Sequence, residues 1–129
     1  MKFLSEEWFI EFEKRCRDEF SKASNLSTEL VEVYENFEGN RTIWCLFKLE
    51  NGLIAQFKHG EGEDSIPSAL FRTFGDYPDY VKVLKGELNP KKGLMAGTFT
   101  LEGNMMKAMG MLGTYMRVTE CKKVPGLEL

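Results

Sequence analysis

The sequence predicts an α+β fold: a helix, a meander of strands, further helices, one more strand and a last helix. Three observations carry this reading. Phe9, Phe12, Cys16 and Phe20 recur at spacings of three or four, which makes one helical stripe. Residues 30–59 alternate between apolar and polar and are interrupted at Asn51 and Gly52, a pair that tolerates positive φ and marks a hairpin. Residues 86–109 hold a turn, a short strand and the start of a helix crowded with methionine. That last segment reads as the lid of an apolar cavity over the sheet.

Each element has its own signals. Ser5 can cap a first helix over residues 5–20, with Glu6 and Glu7 at its positive end and Leu4 and Phe9 placed as a hydrophobic staple. Trp8 falls at the edge of its apolar stripe. A strand over residues 30–37 puts Val31, Val33 and Phe37 on one side and Glu32, Tyr34 and Asn36 on the other. Glu38, Gly39 and Asn40 form a tight turn. The strand over residues 41–50 carries Ile43, Cys45, Phe47 and Leu49 on one face. Trp44 and Leu46 make its other face partly apolar. The third strand, residues 53–59, aims Leu53, Ala55 and Phe57 one way. Sequential antiparallel pairing is the simplest topology.

Residues 66–74 predict a fourth strand, with Pro67 at its start or on an edge because proline donates no ladder bond. Asp76 can cap a helix over residues 77–85, which Gly86 closes. Asn89 and Pro90 open a short helical turn. Residues 98–102 form the fifth strand. Gly103 and Asn104 end it and cap a last helix from Met105 to about Met116, weakened by Gly110 and Gly113.

Composition narrows the function. The chain has 129 residues, 43% apolar and 29% charged, with a net charge of −3. That is the size of one domain, so residues 1–129 are expected to form a single unit. The charge disfavours nucleic acid as a partner. No apolar run is long enough for a membrane span or a secretory leader, so a cytoplasmic location and no stable membrane insertion are the expectations. Cys16, Cys45 and Cys121 are odd in number and far apart, unlike a disulfide framework or a zinc site. His59, the single histidine, sits beside a charged loop with no nucleophile linked to it by a motif. Glu61, Glu63 and Asp64 do not match a calcium loop. No catalytic residue, metal or cofactor is therefore expected.

The unusual feature is methionine. Met95, Met105, Met106, Met109, Met111 and Met116 all lie in the C-terminal part. Methionine adapts to irregular apolar partners, so this cluster fits either a packed core or a ligand wall.

Here the chain resembles the sterol carrier protein 2 (SCP2-like) family. The resemblance covers about residues 28–115 and is densest over residues 84–105. Gly86, Asn89 and Pro90 match a Gly-x-x-Asn/Asp-Pro turn, and Gly103, Asn104 and Met105 match the start of the following helix. Thr98 stands where the family commonly has lysine. Phe71 and Phe74 stand where relatives are often more polar. The resemblance implies a five-stranded, mostly antiparallel sheet covered on one face by helices. It also implies a hydrophobic cavity between them for lipid binding or lipid transport. The implied ligands are a fatty acid, acyl-CoA, sterol or other apolar small molecule. Family likeness assigns Met95, Phe99, Met105, Met106, Met109 and Leu112 to the wall, and the residue pattern adds Phe12 and Trp44. Lys91, Lys92 and Lys107 are candidates to meet a ligand's acidic head. The rival readings are a protein-interaction or scaffold module with a filled core and an accessory domain of an enzyme. A homodimer would form through a strand edge at residues 66–74.

Overall fold

The computed structural model describes residues 1–129. One five-stranded sheet organises the chain, in the order β3-β2-β1-β4-β5. β1 (Thr28–Phe37), β2 (Arg41–Glu50) and β3 (Leu53–Glu61) form the expected antiparallel meander. β4 (Phe71–Asp76) then pairs parallel with β1, so the connection from β3 passes beneath the sheet. β5 (Thr100–Glu102) pairs antiparallel with β4. Residues 66–70, expected as strand, form that crossing segment. β4 is consequently internal, and the strand edge expected to pair with a second copy is already occupied by β5.

Helices cover one face. α1 (Glu6–Glu19) is capped by Ser5, whose hydroxyl accepts the Trp8 amide at 3.2 Å. Its stripe is as expected, but Trp8 is fully buried, not marginal. The Trp8 indole N–H donates to the Lys122 carbonyl at 2.9 Å. Arg15 donates to the Cys121 and Glu120 carbonyls at 3.0 and 3.2 Å. These bonds tie α1 to the end of α5 (Leu112–Cys121), whose last carbonyls lack helical partners.

α2 (Tyr77–Leu84) follows β4 directly. Asp76 does not cap it through its side chain; the carboxylate accepts instead from Asn36 Nδ2 at 2.7 Å. Gly86 ends it with φ +77°, while the Glu87 amide reaches back to the Lys82 carbonyl at 2.8 Å, a glycine-terminated helix stop. α3 (Pro90–Met95) is capped by Asn89, which accepts from the Lys91 and Lys92 amides. The last predicted helix is two helices. α4 (Met105–Gly110), capped by Asn104, breaks at Met111 beside Gly110, and α5 continues to Cys121.

The sheet is buried on both faces. Leu30, Tyr34, Ile43, Cys45, Phe47 and Leu49 join the helices in the main core. Val31, Val33, Trp44 and Leu46 form a smaller cluster on the other face, covered by Ile66, Ala69 and Phe74. This reverses the reading of β1. Glu32 and Tyr34 point into the main core and are wholly buried. Phe37 joins them because the register shifts between Tyr34 and Phe37, with Asn36 at φ +56°. A second bulge, opposite Lys48 and Leu49, brings Ile54 inward beside Phe57 and leaves Leu53 and Ala55 exposed.

Candidate functional site

Between the sheet and the C-terminal helices lies an apolar cavity of about 80 Å³. Leu30, Phe47 and Phe71 form its floor on the sheet. Leu94, Phe99 and Leu101 close one side, and Ala108, Met111, Leu112 and Val118 form the helical wall. Phe99 is held in a notch between two glycines. A Cβ on Gly75 would lie 2.4 Å from its ring, and one on Gly93 would lie 2.8 Å from it. The ring also meets Tyr80 at a centroid distance of 4.9 Å.

One part of the wall is polar. Thr73, Tyr80 and Tyr115 line the cavity there. Behind them sits a buried charge pair. The Lys122 ammonium bonds the Glu32 carboxylate, and both side chains are almost wholly out of solvent. Tyr34 donates to Glu32 Oε1 and Tyr115 to Glu32 Oε2, each at 2.5 Å. The Lys122 ammonium lies 5.4–5.8 Å from the ring centres of Tyr34, Tyr80 and Tyr115. The pair therefore satisfies itself through charge-assisted bonds and aromatic faces. Burial first, and then the nearby Glu32 carboxylate, pushes the Tyr34, Tyr80 and Tyr115 phenols well above their ordinary range. These phenols stay protonated at neutral pH, and Tyr34 and Tyr115 act as hydrogen-bond donors.

The sequence-predicted residues separate into groups. Phe99 and Leu112 line the cavity. Met95 and Met106 point to solvent, at 75% and 86% exposure, and Met105 is half exposed. Met109 is partly buried but outside the lining. Phe12 is fully buried in the main core, stacked on Trp8 at 4.7 Å. Trp44 lies on the opposite face of the sheet, where its indole donates to Ser65 Oγ at 3.0 Å. Met111, alone among the six clustered methionines, reaches the cavity wall. Sequence reading missed Glu32, Tyr34, Thr73, Tyr80, Tyr115 and Lys122 as a group. Their only shared signal is that Leu30, Glu32 and Tyr34 fall on one side of a strand.

No group of three or more His, Cys, Asp or Glu side chains is placed to hold a metal. No helix is long and apolar enough to cross a membrane. His59 stacks flat on Phe9 at 3.9 Å, away from the cavity.

Residues 38–114, more than half of the chain, match the model of the SCP-2 sterol transfer family. The chain belongs to that family. The SCP-2 architecture recurs in solved structures. A crystal structure of sterol carrier protein 2 is similar over 92% of this chain and 95% of its own, with a TM-score of 0.73 and 19% identity. A solution structure of a protein from Thermus thermophilus is similar over 92% of this chain and 86% of its own, with a TM-score of 0.70 and 19% identity. A palmitated SCP2-like 2 protein from Aedes aegypti is similar over 88% of this chain and 92% of its own, with a TM-score of 0.52 and 14% identity. No curated protein matches the chain by sequence. The SCP-2 fold thus accounts for the mixed sheet, the helical cover and the cavity between them.

Proposed function

We propose that the chain is a non-enzymatic carrier that binds a lipid or other apolar small molecule between the sheet and α4–α5. The observation that carries this reading is the apolar cavity beneath a lightly anchored lid. α4 has no buried residue, and it is joined to α5 through the break at Met111. Such a segment opens at low cost. At about 80 Å³ the cavity is far below the roughly 300–1,000 Å³ of ligand pockets. A full chain therefore enters with α4 displaced. A twelve-carbon chain gains roughly 10 kcal/mol gross from burial at about 0.8 kcal/mol per methylene, less the cost of immobilisation. The palmitated Aedes aegypti relative supports a fatty acyl chain as one ligand class.

The small closed volume also favours a second reading, an interaction module whose core is filled. Native mass spectrometry of gently purified protein, followed by organic extraction, separates the two. A stoichiometric apolar ligand is expected. It should be lost on Leu112→Trp or Ala108→Phe, which fill the wall, and retained on Met106→Trp, which changes an exposed side chain. A clean protein mass that lipid incubation leaves unchanged would sustain the filled-core reading.

A further inference from the structure

The cavity wall contains two hydroxyls with nothing to bond. Tyr80 OH and Thr73 Oγ1 are shielded from solvent and have no hydrogen-bond partner. Tyr80 is 3% exposed, and both residues line the cavity. The two hydroxyls lie close enough to interact with each other but fall short of hydrogen-bond geometry, and neither has another partner. An unpaired buried hydroxyl is costly, and two together on an otherwise apolar wall form a built recognition point.

The charge pair behind them decides what can be recognised. The Lys122 ammonium lies 5.7 Å from the Tyr80 ring centre, and it is committed to Glu32. Tyr34 and Tyr115 spend their hydroxyl protons on the same carboxylate. The cavity lining includes no lysine or arginine to meet an acidic head. A carboxylate placed at Tyr80 would be buried beside the Glu32 charge without a counter-ion, an arrangement low-dielectric surroundings penalise heavily. A neutral hydroxyl or carbonyl carries no such penalty. It can accept from Tyr80 OH, and a hydroxyl can also donate to Thr73 Oγ1.

We propose that the cavity takes an apolar ligand head-first and that Tyr80 and Thr73 hydrogen-bond a neutral hydroxyl or carbonyl head, so that long-chain alcohols, ketones or amides are selected over ionised fatty acids. This rests on the apolar-carrier reading above and specifies the ligand's polar end. The surface lysines Lys91, Lys92 and Lys107 then have no part in holding the head.

Isothermal titration calorimetry at pH 8 with 1-octanol, octanoate and 1-chlorooctane tests it. The alcohol is expected to bind at least about tenfold tighter than either the carboxylate or the chloride. Tyr80→Phe and Thr73→Val should each weaken 1-octanol by roughly three- to tenfold and leave 1-chlorooctane unchanged. The ligand-side comparison uses unaltered protein, so it stands even where a variant folds poorly. Octanoate or 1-chlorooctane binding as tightly as the alcohol, with no response to either substitution, would overturn the head-group assignment and leave the carrier reading intact. A response of all three ligands alike to Tyr80→Phe would also overturn it, since a wall defect and not a lost bond would then be at work. If none of the three binds, both the assignment and the carrier reading fall.

Discussion

Lys122, one residue past α5, forms its ion pair with Glu32 in the middle of β1, and neither side chain reaches water. A buried pair of this kind contributes little net stability compared with apolar residues, but breaking one side is costly. Lys122→Met should therefore destabilise the protein by about 3–5 kcal/mol in urea denaturation. Glu32→Gln combined with Lys122→Met should cost clearly less than Lys122→Met alone, because the amide oxygen still accepts from the tyrosines and no lone charge remains. Losses that simply add would show that the two residues do not act as a pair.

The buried phenols set an alkaline limit. Tyr34 and Tyr80 are held well above their ordinary value of 10.0 by burial first and by the Glu32 charge second. In the unfolded chain they ionise near that ordinary value. A folded-state value raised above the unfolded one means that their contribution is complete below pH 10 and is lost as pH rises beyond it. Each such group steepens the loss by about 1.4 kcal/mol per pH unit. Urea midpoints measured from pH 8 to 11 should hold level at first and then fall. In the native protein Tyr77, raised less, should ionise first by ultraviolet absorbance. A flat stability profile through pH 11 would contradict the buried hydroxyls.

The notch around Phe99 tolerates no added methyl. Gly75→Ala and Gly93→Ala should each destabilise by about 1–3 kcal/mol, since the new Cβ meets the ring at 2.4 and 2.8 Å. Neither glycine has a left-handed φ, so the effect is steric. Adding Phe99→Leu should recover part of the loss in thermal denaturation. If that second change made matters worse by its full separate cost, the clash would lie elsewhere.

On the other face, a Cβ on Gly60 would sit 2.5 Å from the Trp44 ring. Gly60→Ala should displace the indole from Ser65 Oγ, shift its fluorescence to longer wavelength and cost about 1–3 kcal/mol. Ligand affinity should not change, because the cavity lies across the sheet. An equal loss of ligand binding would show that the two faces are coupled.

Much of this molecule was legible in the chain. The Phe9–Phe12–Cys16–Phe20 stripe, the Asn51–Gly52 hairpin and the Asn89 and Asn104 caps are local signals, and local physics obeys them. Gly110 marked the weak point at which the last helix divides. Within the site, Phe99 and Leu112, which family likeness assigns to the wall, line the cavity. The methionines of α4, assigned by the same likeness, are not among its lining residues, because a shared motif does not show whether anything covers a helix face. Met105 and Met106 share an uncovered one.

By itself the sequence determined most element types and their order, since these follow from periodicity, caps and turns within a few residues, and the motif over residues 84–105 carried the family resemblance. Only the tertiary structure decided which way β1 faces. Once the crossing segment buries Val31 and Val33 on the far side, both faces of the strand are dry, and alternation no longer separates inside from outside. Glu32 is tolerated in the core because Lys122, Tyr34 and Tyr115 arrive there from elsewhere in the chain. Burial of a carboxylate depends on partners that no local pattern around it can announce.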